Sequence, residues 1–165
     1  MKAIYITGFM GAGKTTIGKL LSERWGLPVL DTDERVEKTT NRTIRDIFEK
    51  EGEKAFRTYE TNVLKSLSTN DVIITTGGGI VEKEENRMWM KENGTVLYLY
   101  CEPNAIVQRL QGDTTRPLFQ AERIEEFLQL FSSREKWYEQ AHYTIDTTNK
   151  EVTMIVQEIE KLIKK

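Results

Sequence analysis

Eight residues near the amino terminus, GFMGAGKT (Gly8 to Thr15), constrain this chain more than any other stretch. They fit G-x-x-x-x-G-K-[ST] at every fixed position and follow directly on the strand-like run KAIYIT, Lys2 to Thr7. Glycines let the backbone curl so that successive N–H groups point at phosphate oxygens. A helix starting at Lys14 adds its positive amino-terminal end. The motif therefore demands a strand, a phosphate-binding loop (P-loop) and a helix in succession. In that unit Gly11, Ala12, Gly13 and Thr16 belong to the wrap around a nucleotide. Lys14 reaches its β- and γ-phosphates, and the Thr15 hydroxyl ligates Mg²⁺.

The rest of the chain repeats the alternation. Lys2 to Thr7, Pro28 to Asp31, Val72 to Thr75, Thr95 to Cys101 and Tyr143 to Asp146 read as strands covered on both faces. Helical spacing runs over Lys14 to Trp25, Asp33 to Lys50, Gly52 to Leu67, Lys83 to Asn93, Asn104 to Leu110, Ile124 to Ala141 and Glu151 to Ile163. This predicts a three-layer α/β fold with a mostly parallel sheet and ligands at the carboxyl ends of the strands. QGDTTRPLFQAE, residues 111 to 122, is polar and broken by Gly112 and Pro117. It reads as a mobile lid, or else as an ordinary surface connection. At 165 residues the chain suits one domain. Its 24 basic and 26 acidic residues leave no basic excess for a nucleic-acid partner. No apolar run approaches the ~18 residues of a membrane span. Lone Cys101 fits a reducing cytoplasm, so a soluble cytoplasmic protein is expected.

The third strand ends unusually. Where many ATP-handling chains place a magnesium-orienting aspartate, VIITTGGGIV carries Gly77, Gly78 and Gly79. A carboxylate pair instead follows the second strand, in LDTDERV. If that strand persists through Asp31 and Asp33, they share a face at the ligand end of the sheet. Asp31 would then orient waters on Mg²⁺, and Asp33 would reach an acceptor hydroxyl, one of the pair serving as base. The alternative is an N-cap pair for the helix starting near Glu34. A GTP switch is disfavoured, because Asn149–Lys150 is followed by Val152 where its guanine-reading aspartate should stand.

Across essentially its whole length the chain resembles the shikimate kinases. The resemblance is carried by GFMGAGKTTIG, the DTD pair, AFRTYE (Ala55 to Glu60), TGGG (Thr76 to Gly79), RPL (Arg116 to Leu118) and R-x-x-x-Y (Arg134 to Tyr138). It implies a five-stranded parallel sheet of the nucleoside monophosphate kinase type, with a lid and an acceptor-binding helical region at about residues 32 to 60. It also implies Mg-dependent transfer of the ATP γ-phosphoryl group to the 3-hydroxyl of shikimate. In such a site Arg57 and Arg134 hold the carboxylate of the acceptor. Gly78 donates an N–H to it between Gly77 and Gly79, and Asp33 accepts from its hydroxyls. Arg116 closes over the transferring phosphoryl group, and Arg109 stacks on adenine. Glu60, three residues after Arg57 on one helical face, holds that side chain. Phe48 and Phe56 are candidate pocket walls, although core packing accounts for either alone.

Two positions depart from the family pattern: Lys136 replaces a proline, and His142 stands where relatives often carry aspartate. His142 reads as a surface or helix-end residue. The expected ligands are ATP or ADP and shikimate, bound by a monomer. Two other readings compete: a gluconate-type or nucleotide kinase of the same architecture, and a nucleotide-dependent binding module without turnover.

Overall fold

The structure is a computed structural model and describes residues 1–111 and 121–163. Among the described residues five strands form one parallel sheet. They are β1 (Ala3–Thr7), β2 (Val29–Asp31), β3 (Ile73–Thr75), β4 (Gly94–Tyr100) and β5 (Tyr143–Asp146), in the order β2-β3-β1-β4-β5. The central strand is largely apolar because it is covered on both faces, and every residue of AIYIT is buried. It pairs Ile4 with Ile73 on one side and with Thr95 on the other.

That order fixes where the helices lie. The crossover from β1 to β2 runs one way across the sheet, and the later crossovers run the other way. Right-handed connections therefore put them on opposite faces. Helix α1 (Lys14–Trp25) packs with the last helix, α8 (Val152–Ile163), on one face. The segments α2 (Thr32–Thr40), α3 (Ile44–Glu51) and α4 (Glu53–Ser66) lie on the other. So do α5 (Glu84–Asn93), α6 (Pro103–Gln111) and α7 (Ala121–Tyr138). The P-loop, Asp31 and the glycine triplet all leave the carboxyl ends of adjacent strands β1, β2 and β3. No helix among the described residues is long and apolar enough to cross a membrane.

The sequence predicts one helix over Asp33 to Lys50, but the structure has two. Asn41 takes the left-handed conformation (φ 55°) and ends α2. Thr43 then caps α3, its hydroxyl accepting the Asp46 N–H at 3.0 Å. Asparagine tolerates positive φ and threonine competes for local N–H groups, so N-R-T breaks a run whose apolar spacing is otherwise continuous.

Helix α1 meets the sheet at a residue without a side chain. A Cβ on Gly18 would stand 2.5 Å from the Thr75 methyl and 3.4 Å from a Val29 methyl. Thr75 is not free to turn away, because its hydroxyl donates to Asp31 Oδ2 at 2.8 Å. Gly18→Ala is therefore expected to lose about 1–2 kcal/mol net, overpacking outweighing a helix-propensity gain of roughly 1 kcal/mol. Urea unfolding of the two proteins measures it.

Candidate active site

Gly13 precedes α1 in the left-handed conformation (φ 90°), offers no capping side chain, and no acidic residue lies in the first turn. Among the described residues the first N–H groups of α1 thus meet no competing side-chain acceptor, which is the arrangement an anion needs. Lys14 lies folded over its own loop, donating to the carbonyls of Gly8 and Phe9, the latter at 3.1 Å. Burial brings its pKa down to about 8. Asp33 and Asp31 oppose that shift, and Arg134 adds to it.

The carboxylate pair is not arranged as a continuous strand would place it. β2 stops at Asp31, and Asp33 sits in the first turn of α2. Asp31 is the N-cap of that helix: Oδ1 accepts the Glu34 N–H at 3.1 Å while Oδ2 accepts from Thr75. Of the pair only Asp31 caps the helix, and the capped end of α2 opens toward the P-loop. Both carboxylates act electrostatically on Lys14. Burial and then Asp31 push the Asp33 pKa up, while Lys14 and Arg57 hold it back.

Next to Asp33 lies a cleft of about 260 Å³. Nine residues singled out from sequence line it: Asp33, Phe48, Phe56, Arg57, Glu60, Gly77, Gly78, Gly79 and Arg134. The two arginines arrive from different helices. On α7, Phe127, Phe131, Arg134 and Tyr138 recur at helical spacing and are all buried, so Arg134 extends an apolar stripe instead of facing solvent. Its guanidinium carbon lies 5.7 Å from the centre of the Phe9 ring. On α4, Arg57 lies over Phe56 and donates to Glu60 at 3.0 Å. Phe48 and Phe56 contact each other with centroids 5.0 Å apart; Phe56 is buried, Phe48 is 38% exposed.

The glycine triplet has a reason beyond ligand access. A Cβ on Gly77 would stand 2.6 Å from Asp33 Oδ1, and one on Gly79 would overlap the Arg57 guanidinium. One on Gly78 would lie 3.3 Å from Arg134 Nη1. Each glycine thus makes room for a different charged side chain. The Gly77 N–H donates to Thr32 Oγ1 at 3.0 Å, and the Gly78 carbonyl accepts from the Tyr138 hydroxyl.

Three residues at this site escaped sequence reading. Met10 and Ile44 line the cleft. Glu82 ends the 3-10 turn Ile80–Glu82 and lies 2.8 Å from Arg134 and 3.5 Å from Arg57. Its only signal in the sequence is its position three residues beyond Gly79. Glu60 is fully buried with Oε2 unpartnered, and burial pushes its pKa up to about 7 against the pull of Arg57.

A second cleft, of about 160 Å³, opens beside the start of α1 and is lined by Ala12, Gly13, Thr16, Arg109, Thr147 and Lys150 among others. Arg109 is exposed and donates to the Gly11 carbonyl at 3.1 Å. Lys150, part of the failed guanine motif, walls this cleft because it follows β5. Arg116 and most of the expected lid lie outside the described residues. His142 is exposed, its Nδ1 accepting the Val96 N–H at 2.9 Å. Among the described residues no cluster of three or more His, Cys, Asp or Glu is arranged to hold a metal. Thr15 Oγ1 and the Asp31 carboxylate are hard oxygen donors, which suits an ion bringing its own waters and phosphate ligands, as Mg²⁺ does.

Comparison with known proteins identifies the family and the fold. The shikimate kinase family model matches residues 10–164. The chain is 59% identical to a shikimate kinase of Bacillus cereus over 99% of both chains. It is 44% identical to one of Enterococcus faecalis, again over 99% of each. A structure of shikimate kinase from Acinetobacter baumannii in complex with shikimate superposes with a TM-score of 0.87 at 44% identity, covering 99% of this chain and 93% of that one. Shikimate kinase from Aquifex aeolicus gives 0.83 at 37% identity, over 98% and 96%.

The crowding at Gly79 is testable. Gly79→Ala has to displace the far end of Arg57 and leaves the core untouched. We expect acceptor KM to rise about tenfold to a hundredfold, with thermal stability within a few degrees of the parent. Steady-state kinetics at saturating ATP and a melting curve read both.

Proposed function

The chain belongs to the shikimate kinase family, and on that premise we propose that it transfers the γ-phosphoryl group of ATP to the 3-hydroxyl of shikimate. The products are shikimate 3-phosphate and ADP, on the route to aromatic amino acids through chorismate. The observation that carries this reading is the convergence of Arg57 and Arg134 with Asp33 in one cleft adjoining the P-loop.

Two guanidinium groups, whose planar forks match a carboxylate, hold the acid end of the ring. The glycine turn lets backbone approach the ring, and Phe48 and Phe56 supply apolar wall. The attacking hydroxyl then faces Asp33, which aims it and takes its proton. The raised pKa of Asp33 brings its proton affinity closer to that task. The hydroxyl oxygen bonds to the γ-phosphorus as the bond to the β-bridging oxygen breaks, and ADP leaves. Lys14 moves from its loop carbonyls to the β- and γ-oxygens, and the α1 N–H groups take the negative charge. Thr15 and Asp31 would hold Mg²⁺, which when bound neutralises charge on the transferring group. Arg109 faces the base from the second cleft. Arg116, by its place in R-P-L, supplies a further cation at closure, with residues 111–122 as the lid. Residues 32–60 carry much of the acceptor site. Action as a monomer is part of the same proposal.

A coupled ADP-release assay with shikimate, other polyol acids and nucleoside monophosphates tests the assignment; turnover on a nucleotide and none on shikimate overturns it. Arg57→Ala and Arg134→Ala should each weaken acceptor use by about 1.5–3 kcal/mol while leaving ATP KM unchanged. Acceptor kinetics unaltered in both would place the carboxylate elsewhere. Asp33→Asn is expected to lower kcat by about a hundredfold or more with little change in ATP affinity. Turnover equal to the parent would remove Asp33 from the chemistry.

A further inference from the structure

The arginines assigned to the acceptor are already engaged. Glu82 Oε2 accepts from Arg134 Nε at 3.0 Å, lies 2.8 Å from Arg134 Nη2 and stands 3.5 Å from Arg57 Nη2. Arg57 also meets Glu60 at 3.0 Å and Glu53 at 3.4 Å. Two guanidinium charges thus face three carboxylates, an unexpected balance for a place that receives an anion.

The three carboxylates are not equivalent. Glu60 is fully buried behind Arg57, and Glu53, 59% exposed, reaches only its outer edge. Glu82 alone spans both arginines, and at 31% exposure it has room to turn outward. Its backbone has no such freedom. Asn86 Nδ2 donates to the Ile80 carbonyl at 3.0 Å and Arg87 Nη1 to the Val81 carbonyl at 2.7 Å, pinning the 3-10 turn. A carboxylate on a fixed backbone, standing where donors of two arginines converge, holds the position a carboxylate ligand needs.

We propose that Glu82 is a specificity-determining residue for the acceptor, its carboxylate occupying the shared donors of Arg57 and Arg134 so that an incoming carboxylate must displace it. The inference rests on the assignment of those arginines to the acceptor. A tethered competitor acts at high effective concentration. An anion offering a carboxylate and little else fails to displace it. A polyhydroxylated ring acid succeeds, because its hydroxyls add bonds to Asp33 and the glycine turn that Glu82 does not contest. Glu82 also relieves repulsion between the two cations in the free protein, so it both assembles the pair and guards it.

Glu82→Gln keeps the shape and one acceptor oxygen and removes the charge. The expected result is a fall in shikimate KM of about tenfold, equivalent to about 1.4 kcal/mol, with kcat and ATP KM close to the parent. Inhibition by cyclohexanecarboxylate, a ring acid without hydroxyls, should strengthen in parallel. With the uncharged methyl ester of shikimate no gain should appear, a distinction that a purely structural role would not produce. Glu82→Asp, one methylene shorter with its charge intact, should also lower shikimate KM, by less, and provides the measurement if the glutamine variant folds poorly. Shikimate KM unchanged or raised in these variants, or an equal gain with the ester, overturns the proposal. If Arg57→Ala and Arg134→Ala impair acceptor use in the same experiments, such a result removes only the role of Glu82. If they do not, the assignment of the arginines fails first.

Discussion

Where β3 ends, the backbone passes so close to charged side chains that no Cβ fits. Asp33 fills the space beside Gly77, and the Arg57 guanidinium fills that beside Gly79. Arg134 Nη1 would lie 3.3 Å from a Cβ on Gly78, closer than ordinary contact. The triplet is thus the surface against which three elements, α2, α4 and α7, bring their functional groups to one place. Neighbouring groups hold that surface in turn. Tyr138 fixes the Gly78 carbonyl, Thr32 the Gly77 N–H, and Asn86 the turn beyond. The packing requirement, and the binding one proposed for the triplet, fall on the same bare α-carbons.

Such close approach concentrates charge where water is scarce. Lys14 is brought down by burial although two aspartates act on it, and Asp33 and Glu60 are raised by burial although cations stand beside them. In each case desolvation outweighs pairing. The proposed function has the site exchange its internal pairs for ligand. On that proposal Lys14 would leave its loop carbonyls for phosphate, and the arginines would trade Glu82 for a carboxylate. Preorganisation here consists of holding each cation with a partner it can give up, which keeps the free protein from burying uncompensated charge.

Local chemistry accounts for what was legible beforehand. The P-loop announces itself because its requirements are consecutive residues with fixed spacing. The strands and a mostly parallel sheet follow from apolar runs alternating with helical spacing. Arg57 with Glu60 was visible as an i, i+3 pair. Less legible was anything set by a competition between neighbouring signals. Asn41 and Thr43 split a helix whose apolar spacing runs straight through them. Asp31 turned out to be a cap as well as a site-facing carboxylate, because β2 ends two residues sooner than a strand running through Asp33 would.

By itself the sequence determined the P-loop motif and the α/β layering, since each is a property of contiguous residues or of periodicity within one element, while the acceptor-binding arginines were named only through the resemblance to a family. Only the tertiary structure decided which charges meet. Arg57 and Arg134 are 77 positions apart in the chain, and their common partner Glu82 belongs to neither helix and to no motif. Such a contact is created when the glycine turn docks between α4 and α7. Its energy depends on distance and burial, which no local pattern of residues encodes.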